Sequence, residues 1–231
     1  MTVALFRDRE HAGLEIAKKL SEDIKEYPIS SFKTDDIVVA AIPRGGVVLG
    51  DVIAKKLDCK LDVIISRKIR SEFNEEFALG AVMPDGDYFV NEGYAEMFHL
   101  SKEYLDKEVE FQRKEINRRL LEFRGKVSYE GEFYDKIVIL IDDGIATGAT
   151  IIASARWIKN NFKCKFLIVA VPVAPANDRT ITILEKIADR LLILRSEIMF
   201  SAVGQFYERF DQVSDEEVKE IMKEYGFPSN I

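Results

Sequence analysis

The feature that most constrains this chain is a set of short apolar runs with no polar face. The strongest is KIVILID at 136–142, and KFLIVAVPV at 165–173 and DRLLILR at 189–195 repeat its pattern. A strand without alternating polar residues has to be covered on both faces of its sheet, as in parallel sheets flanked by helices. Helical patterns at about 149–161 and 177–188 separate these runs, which is typical of right-handed βαβ units. The sequence therefore predicts an α/β fold, a mainly parallel sheet with helices on both faces.

The N-terminal half continues this alternation. DDIVVAAI at 35–42 and LDVIIS at 61–66 are predicted strands, and a helical stretch after Gly46 separates them. The polar segment RKIRSEFNEE at 67–76 has no apolar periodicity, so we interpret it as a loop that precedes a third strand, FALGAVM. Because nothing in the segment anchors one conformation, we expect it to be mobile in the free protein.

Three more helices are predicted outside these units. Apolar residues recur at helical spacing from Arg9 to Tyr27, and Ser214 stands three residues before Glu217 in a capping box that opens a last helix. Residues 101–124 hold three acid-first pairs at i,i+4: Glu103 with Lys107, Glu110 with Lys114, and Glu115 with Arg119. The apolar positions of this long helix form no strict heptad, so packing on the same chain is favoured and a homodimer is left open.

These elements are interpreted as one domain over residues 1–231. The core is expected at about 28–90 and 131–195, with a helical insertion at about 91–130 and hood elements from both termini. At 47% hydrophobic residues the chain can bury a sizeable core.

Charge and hydropathy narrow the function classes. The chain has 33 Lys plus Arg against 40 Asp plus Glu, a net charge of −7, which argues against a general nucleic-acid binder. The longest apolar stretch, at 166–176, is too short and too broken by proline to span a bilayer, and the N-terminus becomes charged too early for a secretory signal. We expect a cytoplasmic protein without a membrane partner.

The clearest functional signal is IVILIDDGIATGAT at 137–150. Ligands of open parallel sheets bind beyond the carboxyl ends of the strands, and here a strand ends in Asp142 and Asp143, before a loop and a helix. Backbone N–H groups at a helix N-terminus bind phosphate. The groups would come from Thr147, Gly148, Ala149 and Thr150. We expect both carboxylates to be exposed and to accept hydrogen bonds from sugar hydroxyls, so the pattern predicts a sugar phosphate. Each feature alone is more often a structural cap or turn, and their contiguity favours function.

Three matches in order resemble the type I phosphoribosyltransferases. Residues 137–150 look like that family's diphosphate-sugar motif, with the two Asp, Ala146-Thr147-Gly148 and Thr150 in register. Pro43-Arg44-Gly45-Gly46 is similar to the family loop that holds pyrophosphate. Ser66-Arg67-Lys68 is similar to the basic step that opens the family's mobile catalytic loop. The matches cover about residues 36–195.

The resemblance implies magnesium-dependent transfer of a phosphoribosyl group from 5-phosphoribosyl 1-diphosphate to a small nitrogenous acceptor, with release of pyrophosphate. The catalytic residues would be Asp142, Asp143 and Lys68. The substrate-binding residues would be Arg44, Gly45, Gly46, Arg67, Ala146, Thr147, Gly148, Ala149 and Thr150. Mg²⁺ would be held through the ligand, with Asp142 and Asp143 as its candidate protein contacts. The alternative is a non-catalytic regulatory module that binds the diphosphate sugar or a nucleotide.

The acceptor side departs from part of the family. Members that use 6-oxopurines carry an Asp where this sequence has Ala146, which puts such an acceptor in doubt. The acceptor pocket would be built by the N-terminal helix, the 91–130 insertion and the segment SAVGQFYERF. Phe206 or Tyr207 could stack on a planar base, or the two could form a core aromatic pair.

Overall fold

The computed structural model describes residues 4–26, 33–71, 74–90, 93, 97, 100–176 and 179–228. Its helices are α1 (Arg9–Glu26), α2 (Gly45–Leu57), α3 (Lys102–Arg124), α4 (Ala149–Asn161), α5 (Arg179–Ile187) and α6 (Asp215–Glu224). Its strands are β1 (Ile37–Ala41), β2 (Lys60–Val63), β3 (Arg67–Ser71), β4 (Asn74–Val82), β5 (Tyr88–Val90), β6 (Ile137–Ile141), β7 (Phe166–Pro175) and β8 (Arg190–Glu197).

The main sheet has the order β2-β1-β6-β7-β8, and every neighbouring pair is parallel. All residues of β1 and β6 are buried, as their unbroken apolar runs require. The predicted α/β fold with a mainly parallel sheet is therefore confirmed. Among the helices of the described ranges, none combines the length and the apolarity that crossing a membrane needs.

The connections create a crevice beside the centre of this sheet. The β1-α2-β2 unit runs towards one edge and the β6-α4-β7 unit towards the other, so right-handed crossovers place α2 and α4 on opposite faces. The carboxyl ends of β1 and β6 lie side by side where the two directions diverge. Such a switch point is where open α/β sheets bind ligands.

A second, three-stranded sheet corrects the prediction of a loop at 67–76. Strand β3 covers Arg67–Ser71 and pairs antiparallel with β4, which pairs antiparallel with β5. In β3 the side chains of Ile69 and Ser71 are buried while Lys68 and Arg70 are exposed. This alternation has period two, but cations on the outer face and a serine on the inner face concealed it. The prediction of an irregular loop is wrong for β3, whereas the mobility of this segment in the free protein stays a prediction, and residues 72 and 73 lie outside the described residues.

The long helix α3 is confirmed, and a buried ion pair attaches its last residue to the sheet. Ser101 Oγ accepts the Tyr104 N–H at its start, and all three acid-first pairs form ion pairs. At its end, Arg124 is fully buried and donates from Nε and Nη2 to the two carboxylate oxygens of Asp62, at 2.6 and 2.8 Å. Such a bidentate pair fixes both position and orientation. It anchors α3 to β2.

The two termini meet over the carboxyl ends of the strands. The Leu5 N–H donates to the Phe206 carbonyl at 2.8 Å, and the Glu208 N–H donates to the Phe6 carbonyl at 2.8 Å. Phe206 and Tyr207 are both buried, as the core alternative predicts, but their rings contact other aromatic residues: Phe200 for Phe206, and Phe6 and Phe210 for Tyr207. The last helix begins as predicted, because Ser214 Oγ accepts the Glu217 N–H at 3.0 Å.

Candidate active site

Two loops meet at the carboxyl ends of β1 and β6. The Ile42 N–H donates to the Ile141 carbonyl at 2.9 Å, and the peptide bond between Pro43 and Arg44 is cis. A Cβ atom on Gly45 would lie 1.9 Å from Asp143 Oδ2, and one on Gly46 would lie 2.9 Å from the Ile141 carbonyl oxygen. Both glycines are therefore required by the close approach of this loop to the acidic strand end.

A cavity of about 290 Å³ opens beside these loops. Arg67, Lys68, Asp142 and Thr150, which the sequence assigns to one site, all line it. Arg44 does not line it and instead forms an ion pair with Asp215 at 3.5 Å. The cavity thus joins β3, the end of β6 and the first turn of α4.

The loop that leads from the acidic pair into helix α4 packs against the start of helix α5. Gly148 has φ +74° and precedes α4 without a side-chain hydrogen-bond cap, and Ala146 and Thr147 are exposed. Thr180 at the start of α5 packs against Gly148, so that a Cβ atom there would lie 2.1 Å from Thr180 Cγ2. The first N–H groups of a helix have no partner within it. This helix start can therefore bind an anion.

The two aspartates of the motif have different surroundings. Asp142 Oδ1 accepts the Asp143 N–H at 2.8 Å. Burial raises the pKa of Asp142, and the charge of Asp143 raises this pKa further. Burial also raises the pKa of Asp143, although Arg9 opposes that shift. A desolvated acid pair is costly in the empty protein and suits ligand hydroxyl groups or a cation.

Asp143 is not the exposed carboxylate that the sequence predicted. Its Oδ2 accepts a hydrogen bond from Arg9 Nε at 2.9 Å, and its side chain is only 17% exposed. The Asp143 carbonyl accepts the Tyr207 hydroxyl at 2.7 Å, and the Arg9 guanidinium lies 3.8 Å above the Phe210 ring. Arg9 also donates to the Asp211 carbonyl at 2.7 Å. Residues from the N-terminal helix and from the segment before the last helix therefore both contact the second aspartate.

A match to a family model decides the classification. The model of the phosphoribosyl transferase domain matches residues 8–186, which is more than half of the chain. The chain belongs to the phosphoribosyl transferase domain family. The sites described above lie within or beside this matched region.

Relatives in the family agree with this assignment. Two Mycobacterium tuberculosis proteins, from strains CDC 1551 and H37Rv, are provisionally named phosphoribosyl transferases and are 34% identical over 217 residues. The alignment covers 93% of this chain and 45% of each relative, so the chain spans less than half of their length. The crystal structure of TT1426 from Thermus thermophilus is 34% identical, with a TM-score of 0.73 over 95% of this chain and 98% of that one.

A more distant structure shares the fold alone. It is a hypothetical protein from Neisseria gonorrhoeae with bound ppGpp, 14% identical, with a TM-score of 0.50. The match covers 97% of this chain and 98% of that one.

Sequence reasoning gave no role to three side chains of the cavity, although it named Ser66 in a motif, and none to one side chain beside the cavity. Ser66, Arg70 and Arg119 line the cavity, and Arg9 contacts Asp143. Arg119 comes from α3, so the insertion is not only a candidate hood element as predicted but part of the wall beside β3. Its i,i+4 pair with Glu115 resembled a solvated helix surface, and no signal in the sequence linked it to the motif.

Proposed function

We propose that this family member transfers a phosphoribosyl group from 5-phosphoribosyl 1-diphosphate to a nitrogenous acceptor and releases pyrophosphate. The observation that carries the proposal is the single cavity that joins an acidic strand end, an uncapped helix start and a cationic strand. These three surfaces match the three chemical parts of the proposed substrate: ribose hydroxyls, the 5-phosphate and the diphosphate.

The ligand would lie across the cavity from α4 to β3. The backbone N–H groups of Thr147 to Thr150 would bind the 5-phosphate, because they stand at an uncapped helix start. Asp142 would accept hydrogen bonds from the ribose hydroxyls. Arg67 and Lys68, which line the cavity from β3, would bind the diphosphate together with the loop at Gly45 and Gly46, which lies against the end of β6.

In the reaction the bond from the anomeric carbon to the diphosphate oxygen breaks, and a bond to the acceptor nitrogen forms. The anomeric centre gains positive charge, as in glycoside chemistry, while the leaving diphosphate gains negative charge. Lys68 and Arg67 would stabilise the negative charge as it grows. Asp142, a carboxylate beside the ribose, would stabilise the positive charge. Ala146 cannot move a proton, so the acceptor would have to bind as its reactive nitrogen form or lose its proton to water.

Magnesium fits this arrangement as an ion carried by the ligand. Mg²⁺ is commonly bound by one or two carboxylates together with substrate phosphate oxygens and water. Asp142 lines the cavity and offers such a carboxylate. In the described ranges, no group of three His, Cys, Asp or Glu side chains is arranged to hold a metal ion. The bound ion would neutralise charge on the leaving diphosphate.

The test is to incubate pure protein with the diphosphate sugar, Mg²⁺ and a panel of purines, pyrimidines and small amines, and to measure pyrophosphate. We expect release with one class of acceptor, and loss of release in Asp142→Asn. Saturable binding without release for every acceptor would favour the regulatory module instead. No binding by the wild-type protein would contradict both functions.

A further inference from the structure

The cavity is lined by two cationic side chains that the sequence motifs do not contain. Arg67, Lys68 and Arg70 come from β3, and Arg119 comes from α3, so that four cations line it. Asp142 is the one acidic side chain among its lining residues in the described part of the chain. A cluster of cations in a confined space attracts a polyanion and is destabilised without one.

The charge of Arg119 is only partly neutralised. Arg119 Nε lies 3.3 Å from Glu115 Oε1, and the same oxygen lies 2.7 Å from Nη2 of Arg118. Hydrogen bonds from Arg118 lower the pKa of Glu115 to about 2, so this carboxylate is ionised and is shared between two cations. Arg118 is 55% exposed and does not line the cavity, whereas the Arg119 side chain is 20% exposed and does.

The neighbouring Arg67 is fixed in place by α3. Its Nε donates to Oε1 of the buried Gln112 at 3.0 Å, and Gln112 Nε2 donates to Glu108 at 2.8 Å. Burial lowers the pKa of Arg67, and the charge of Arg119 lowers it further. The two guanidinium groups therefore repel each other in the empty cavity.

An unsatisfied hydroxyl on the same wall also points to a missing partner. Ser66 Oγ is buried and has no hydrogen-bond partner among the described residues. Buried polar atoms without a partner are rare, and a hydroxyl at a cavity wall is readily satisfied by a ligand oxygen or its water.

We infer that Arg119 of helix α3 is a diphosphate-binding residue of this site, with Gln112 as the positioning residue that holds Arg67 beside it. The inference rests on the proposed function and deepens it. The ligand chemistry is a diphosphate group, because four cations and the Ser66 hydroxyl line the cavity, whereas the proposed 5-phosphate site is the helix start of α4. The 5-phosphate end would not contact Arg119.

Binding of two ligand fragments tests this assignment. We would titrate the protein calorimetrically with inorganic pyrophosphate plus Mg²⁺, and separately with ribose 5-phosphate. Arg119→Gln should weaken pyrophosphate binding by about tenfold or more, since a hydrogen bond to a charged group is lost. It should change ribose 5-phosphate binding by less than about twofold, because the proposed 5-phosphate site at the start of α4 makes no contact with Arg119.

Arg118→Gln is the matched control, because it removes the adjacent cation that shares Glu115 but does not line the cavity. We expect its affinity for both fragments to stay close to that of the wild type. Arg119→Lys keeps the charge without the planar fork and should recover part of the lost affinity. A thermal melt of each variant establishes that it is folded.

Three results would overturn the inference. Pyrophosphate affinity could be unchanged in Arg119→Gln, it could fall equally in Arg118→Gln, or the Arg119→Gln loss could be the same for both fragments. If the wild type binds the diphosphate sugar and only these comparisons fail, the proposed function stands. If the wild type binds neither pyrophosphate nor the diphosphate sugar, the proposed function fails together with this inference.

Discussion

The start of α4 depends on Gly148, and Gly148→Ala should destabilise the protein and remove its phosphate binding. The backbone there has φ +74°, a left-handed conformation that costs an L-residue about 1–2 kcal/mol. The new Cβ atom would also lie 2.1 Å from Thr180 Cγ2 and 2.8 Å from Thr180 Oγ1. Relieving this overlap should cost about 1–3 kcal/mol more, as in other overpacked cores. The predicted loss is therefore about 2–5 kcal/mol.

Gly131→Ala separates the two contributions. Gly131 has φ +79°, and a Cβ atom there would have no neighbour within 4 Å, so only the conformational cost of about 1–2 kcal/mol applies. Urea unfolding of both variants, with the slope checked for two-state behaviour, gives the two free energies of unfolding. Calorimetric titration with ribose 5-phosphate gives the affinity at the helix start.

We expect Gly148→Ala to unfold at lower urea than Gly131→Ala and to lose ribose 5-phosphate binding, which Gly131→Ala keeps. Equal losses of stability would refute the claim that Thr180 fixes this loop. Wild-type affinity for ribose 5-phosphate in folded Gly148→Ala would show that the phosphate does not bind at α4.

Three other variants examine separate parts of the structure. Asp142→Asn keeps an oxygen that can accept the Asp143 N–H and removes a carboxylate whose pKa burial raises. The variant without ligand should therefore melt at the same temperature as the wild type or higher. Its ligand binding should fall. Because a raised carboxyl pKa means stability that is lost as pH rises through the folded-state pKa, the advantage of Asp142→Asn in thermal melts should grow with pH. Asp62→Asn leaves the fully buried Arg124 without its carboxylate partner. The free energy of unfolding measured in urea should fall by about 3–5 kcal/mol. A fall of under about 1 kcal/mol would contradict a buried pair that anchors α3. Lys68→Ala should lower the rate of pyrophosphate release more than it weakens binding of 5-phosphoribosyl 1-diphosphate, and equal losses would make Lys68 a ground-state binding residue.

The sequence predicted the layers of the fold because the parallel strands have no polar face. The runs at 137–141 and 166–175 are buried on both sides, and the helices between strands show their period clearly. Strand β3 was missed because its exposed positions carry Lys68 and Arg70, and one of its buried positions is a serine. Period-two burial is visible in a sequence only when the inner face is apolar.

From the sequence we could predict which residues of one segment lie together, but not where distant segments meet. Asp142 and Thr150 lie in one motif and line one cavity. The pair of Arg9 with Asp143 joins residues 134 positions apart, and no local pattern announces it. Arg119 approaches β3 because α3 is anchored by a buried ion pair at its far end, which only the packing reveals.

Titration of the wild-type protein with 5-phosphoribosyl 1-diphosphate and Mg²⁺ is the most direct measurement of the proposed activity's first step. We predict saturable binding by calorimetry. When the ligand concentration exceeds the dissociation constant about a hundredfold, the free energy of unfolding should increase by roughly 2.7 kcal/mol, and the melting temperature should rise. No heat of binding and no shift in melting temperature at millimolar ligand would contradict the proposal that this cavity binds the diphosphate sugar.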